Sequence, residues 1–110
     1  RAVRTSAWDM ASADIGGMPR KYCGYMMQKE TGIYSRTVGL NLNRAIEWAR
    51  VGSRVGRYDG QPGDRFVQPH HVSKIVGLTA RAGCYVTDSP RPGGGQRLQT
   101  RCGGIITRGT

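Results

Sequence analysis

At 110 residues, 37% of them apolar, the chain has room for one domain with a modest core and none for a second. Its 17 glycines, set against one Phe and two Trp, forecast many turns and little core volume. No stretch approaches the roughly 18 apolar residues of a membrane-spanning helix. The net charge of +10 points to an anionic partner: nucleic acid, an acidic cell-wall polymer, anionic lipid or an acidic protein. The basic residues are scattered without a run of five or six, so a solvated, solubilising surface accounts for them at least as well.

Along the chain, residues 1–18 are polar, with Trp8, Met10 and Ile15 as their few apolar anchors, and read as an arm or short helix laid on the domain. Gly16, Gly17 and Pro19 break any regular element and prepare the helical part, residues 19–52. A first helix is expected from Tyr22 to Lys29, with Tyr22, Tyr25, Met26 and Met27 at roughly helical spacing and Gly32 as the stop. A second is expected after Asn41 or Asn43, with Leu42, Ala45, Ile46, Trp48 and Ala49 as its buried stripe and Gly52 as its end. The glycine-rich run from Gly52 to Gly63 reads as a loop.

Strands follow over residues 62–110. Arg65–Gln68, Val72–Val76 and Cys84–Thr87 are short, β-branched or aromatic, and separated by turn signals, as in an antiparallel meander. Ser89 to Gly95 reads as a mobile loop, and a last strand as Cys102–Thr107. Helices first and an antiparallel sheet second is the α+β arrangement, with the helices on one face of the sheet.

Three cysteines leave one over if two pair. Cys84 and Cys102, both in strand-like segments, are either bridged neighbours in the sheet or reduced, buried small apolar residues; the sequence leaves both open. Cys23 is then the odd thiol, at the start of the first helix, where unpaired backbone N–H groups and the positive dipole end favour a thiolate and offer an oxyanion hole. His71 enters the apolar strand from Val72 and is the matching general base. A third residue must hold its tautomer: Asp88, at the far end of the next strand, is the first candidate, with Thr87, Ser89 and Gln68 behind it.

Each feature also has a plainer explanation. A Cys between two Tyr is often core, and so are Tyr22, Tyr25 and Trp48, rather than a sugar-stacking platform. Asp64, inside Pro62-Gly63-Asp64, suits a turn that bonds its own backbone better than a catalytic acid. Zinc on Cys23, His70 and His71 lacks a further ligand at finger-like spacing, so neither metal nor cofactor is expected. Nucleic acid is disfavoured because the basic residues do not interleave with aromatics.

Tyr22-Cys23-Gly24-Tyr25, Pro62-Gly63-Asp64 and His71-Val72-Ser73-Lys74-Ile75-Val76-Gly77, in this order and spacing, resemble the papain-like NlpC and CHAP cysteine peptidases and amidases of the bacterial cell wall. Pro19 to Cys23, Asn43 to Gly52 and Pro69-His70-His71-Val72 look closer still to small bacterial members carrying Trp-Cys-Gly-Trp and Asn-Trp-Ala-Arg helices. The resemblance covers about Pro19 to Asp88 and implies a papain-like fold. It implies Cys23 as nucleophile, His71 as base, the position near Asp88 as orienting residue, and cleavage of peptidoglycan amides by acyl transfer. Ser73 and Lys74 depart from the small apolar residues usual after the His-Val pair, and Asp88-Ser89-Pro90 from a segment that often carries Asn or Glu.

An exported chain that has shed its leader fits this reading. The competing one is a catalytically silent accessory subunit of a larger assembly, which keeps the fold and docks an anionic partner through its basic surface.

Overall fold

The computed structural model describes residues 22–110 as three short helices and a six-stranded antiparallel sheet, an α+β fold. The arm expected over residues 1–18 lies outside the described residues.

Helix α1 (Cys23–Thr31) stops at Gly32, whose N–H returns to the Gln28 carbonyl at 2.9 Å. A four-residue helix α2 (Ser35–Val38), not expected from the sequence, follows. Within α1, Gln28 is polar yet fully buried. Its amide nitrogen donates to Asn43 Oδ1, and its amide oxygen accepts from both the N–H and the hydroxyl of Ser35, each at 3.0 Å. These three hydrogen bonds offset the cost of burying the amide and tie α1 to the start of α2 and to the segment after it.

The second expected helix is a 3-10 helix, Ala45–Arg50, rather than an α-helix. Its apolar residues explain the difference: Leu42, Ala45, Trp48 and Val51 recur every three residues, the period of the 3-10 form, and all four are buried in one cluster. Ile46 and Ala49, expected in the same stripe, fall at the cluster's half-buried margin. The Trp48 indole N–H donates to the Leu42 carbonyl at 2.9 Å and closes the turn.

The strands are β1 (Ser53–Val55), β2 (Arg65–Gln68), β3 (His71–Leu78), β4 (Cys84–Asp88), β5 (Leu98–Cys102) and β6 (Ile105–Arg108), in the spatial order β1-β6-β2-β3-β4-β5. Two expectations are corrected here. Ser53–Val55, read as loop, is an edge strand on β6, and the single last strand is two. Because β5 borders β4 while β6 lies between β1 and β2, and only Gly103 and Gly104 join them, Cys102 and Ile105 stand at most about 11 Å apart. The sheet therefore curls back on itself. At this corner a Cβ on Gly104 would lie 2.5 Å from the Phe66 ring, so only glycine lets the chain pass.

Strand alternation divides the core between the two faces. Val67 and Val72 pack under α1 and the 3-10 helix with Met27, Leu42 and Trp48. Phe66, Ile75, Tyr85 and Ile106 fill the other face. The loop before β2 covers that second cluster: the Tyr85 hydroxyl accepts from the Gly60 N–H at 3.0 Å and donates to the Arg57 carbonyl at 2.7 Å. Asp64 is fixed in its turn as expected, accepting the Gln61 N–H at 2.8 Å, and it also binds Arg108 of β6 through both oxygens.

Candidate active site

Cys23 is the first residue of α1 and His71 the first of β3. The β2–β3 hairpin closes on the Gln68–His71 pair across Pro69-His70, which places the imidazole at the end of the sheet, and α1 begins directly over it. Cys23 Sγ lies 3.2 Å from His71 Nδ1. Gly24, next to the thiol, is required by packing, because a Cβ there would stand 2.2 Å from the Leu42 carbonyl oxygen and 2.6 Å from that of Asn43. Only glycine allows the start of α1 to rest against this backbone.

The helix start has no side-chain cap, and the first intrahelical bond runs from the Met26 N–H to the Tyr22 carbonyl at 2.8 Å. The N–H groups of Cys23 and Gly24 thus precede the intrahelical ladder at the positive end of the helix, beside the sulfur.

The other ring nitrogen, His71 Nε2, meets the Ser89 hydroxyl oxygen at 2.7 Å. This corrects the expectation of Asp88 as orienting residue. Asp88 pairs with Lys74, three residues along β3 from His71, and an odd offset puts two side chains on opposite faces of the pleat. Ser89 is one step further and regains the parity of His71. The Asp88 carboxylate instead accepts the Arg97 backbone N–H at 2.9 Å. Thr87 donates to the Gln99 carbonyl at 3.1 Å and Gln68 accepts from Arg101 at 3.1 Å, so of the four candidates Ser89 alone hydrogen-bonds the ring. For Nδ1 to take the thiol proton, the ring hydrogen sits on Nε2 and is donated to Ser89.

Among the described residues no carboxylate hydrogen-bonds the imidazole. Burial, then the charges of Arg101 and Arg97, lower its pKa from 6.5 to about 4, so the ring is neutral at pH 7 and free to accept a proton.

Two hollows meet at the sulfur. One, of about 270 Å³, runs past Gly24, Asn43, Ile46 and His70. The other, of about 240 Å³, contains His71 and Ser89 and is walled by Tyr22, Pro90, Arg91, Arg97 and Arg101. Arg97 and Arg101 were missed in the sequence because Leu98–Cys102 did not read as a strand. Once it does, Arg97, Gln99 and Arg101 follow the two-residue alternation of one face.

Cys84 and Cys102 form a disulfide, directly opposite each other between β4 and β5, which leaves Cys23 as the free cysteine. Tyr25 and Trp48 are fully buried core residues. Among the described residues no three His, Cys, Asp or Glu side chains gather as a metal site, and no helix is long and apolar enough to cross a membrane. Compared with family models, curated proteins and solved structures, the chain matches none.

Proposed function

We propose that the protein is an exported cysteine hydrolase of the papain-like NlpC and CHAP type, which cleaves amide bonds of peptidoglycan. One observation carries the reading: the free thiol of Cys23, at the start of a helix, is 3.2 Å from a neutral imidazole whose far nitrogen is held by Ser89. The order of the short motifs around Cys23, Pro62-Gly63-Asp64 and His71-Val72 supports the family, and the positive charge suits an anionic wall.

In the reaction, His71 Nδ1 takes the thiol proton as Sγ bonds to the amide carbon, and the N–H groups of Cys23 and Gly24 receive the developing oxyanion. The C–N bond then breaks and the proton passes from His71 to the leaving amine. Water, deprotonated by the same nitrogen, attacks the thioester carbon. The C–S bond breaks, the acid is released and the proton returns to sulfur. Ser89 keeps the ring in the tautomer that both halves need.

Alkylation with iodoacetamide, followed across pH and mapped by mass spectrometry, tests the dyad. The native protein labels at Cys23, and His71→Ala lowers the rate at pH 7 by about 100-fold. Labelling that requires unfolding, or that is indifferent to His71→Ala, returns the accessory-subunit reading.

A further inference from the structure

We propose that the hollow walled by Tyr22, Pro90, Arg91, Arg97 and Arg101 is a subsite for a carboxylate carried beside the scissile amide, so that the site selects acidic substrates over neutral ones. The inference rests on the reading of Cys23 as nucleophile and adds what flanks the bond it attacks.

Position is the first argument: the hollow contains both Cys23 and His71, so a group bound there is next to the reacting carbon. The second is unspent charge. Lys74, Arg50 and Arg108 each pair with a carboxylate, whereas Arg91, Arg97 and Arg101 pair with none among the described residues. Arg101 gives one terminal nitrogen to Gln68 and the other to Gln99, both neutral, and its Nε is buried without a partner. Arg91 gives its Nε to the Gly94 carbonyl. Guanidinium groups held by neutral acceptors keep their full charge and remaining N–H donors, the condition for forked recognition of a carboxylate.

Rigidity is the third. Arg101 is the residue before Cys102, and the disulfide to Cys84 fastens this edge strand to β4, next to the strand that presents His71. The arginine charges also reach the catalytic ring, where Arg101 and Arg97 add to the effect of burial in lowering the pKa of His71. A carboxylate seated among them offsets that charge and eases formation of the imidazolium, so a substrate of this class is favoured in turnover as well as in binding.

The test compares iodoacetate with iodoacetamide on the full chain. Both alkylate the thiolate with loss of iodide, and only the first carries a carboxylate. The expected ratio of their rates at Cys23 is about tenfold above that for N-acetylcysteine, and R97Q/R101Q returns it toward the N-acetylcysteine value. Arg97→Gln alone, at an exposed position, gives a partial fall should the double variant fail to fold. A ratio equal to that of N-acetylcysteine, or one unmoved by these substitutions, overturns the subsite. The two readings fail separately: slow iodoacetamide labelling with a high ratio removes the nucleophile and keeps the subsite.

Protection of Cys23 from iodoacetamide identifies the source of the carboxylate. N-acetylglutamic acid α-amide offers it from a side chain and N-acetylalanine from a chain end, with N-acetylalaninamide as the neutral control. Protection by either acid beyond the control supports the proposal, and protection by neither overturns it.

Discussion

His71, the base of the proposed reaction, sits in a setting that resists its charge, and this has a consequence for stability as well as chemistry. Its pKa falls from 6.5 to about 4 on folding, so between these values the unfolded chain binds a proton that the native ring refuses. The resulting stabilisation is complete above pH 6.5 and lost as pH falls through about 4. After a discount for partial exposure it is on the order of 2 kcal/mol. Unfolding free energies of the native chain from urea titrations at pH 7 and pH 4 are expected to differ by that much more than those of His71→Gln; an equal pH dependence in the two proteins would deny the shift. Asp64 titrates below this window. Burial pushes its pKa up, but the Arg108 guanidinium and the Gln61 N–H hold it below the ordinary carboxylate range. Ser89→Ala removes the acceptor on Nε2, and the alkylation rate of Cys23 at pH 7 is expected to fall roughly tenfold, less than in His71→Ala. A purely structural Ser89 would change thermal stability and leave the rate alone.

At the level of elements, the site depends on two edges held by different means. The start of α1 is set by Gly24 against the Leu42 and Asn43 carbonyls, a contact of backbone with backbone. The β5 edge, exposed along most of its length, buries little and is instead fastened by Cys84–Cys102 across a sequence separation of 18. Opening that loop in C84S/C102S is expected to cost about 3 kcal/mol in the chain-entropy model, read as a lowered urea midpoint. The same variant should lose most of the preference for iodoacetate, because Arg97 and Arg101 then ride on an untethered edge. Retention of both stability and preference would mean that the strand holds without the bridge. The 3-10 helix shows packing at work on an ambiguous pattern. Its three-residue spacing was present in Leu42, Ala45, Trp48 and Val51, but Ile46 and Ala49 blurred it into an α-helical stripe until packing chose the face.

Across the whole molecule, charge is in large excess over what ion pairs absorb, since 17 basic residues face 7 acidic ones. Attraction to an anionic polymer that rests on such exposed charge is screened over about 10 Å at 0.1 M salt and about 3 Å at 1 M. Co-sedimentation with peptidoglycan sacculi is expected at the lower salt and to be abolished at the higher. Binding that survives high salt would indicate a specific, largely uncharged contact. The curl of the sheet matters at this scale too, because it lets two strands on opposite sides of the sheet order share one short glycine joint and brings the C-terminal strands into both the core and the site.

Local pattern was enough to read much of this protein. Glycine stops, apolar periods and β-branched runs gave helices before an antiparallel sheet, placed β2, β3 and β4 within a few residues, and put Cys23 and His71 at element starts, because caps and periods act over a few neighbouring residues. What depends on distant segments needed the tertiary structure: that β6 inserts beside β2, that Cys84 faces Cys102, and that Arg97 and Arg101 stand at the imidazole. The hydrogen-bond partner of the imidazole turned on the finest of these details. One step of strand register decides which face a side chain takes, and it gave the ring of His71 to Ser89 and left Asp88 with the backbone of Arg97.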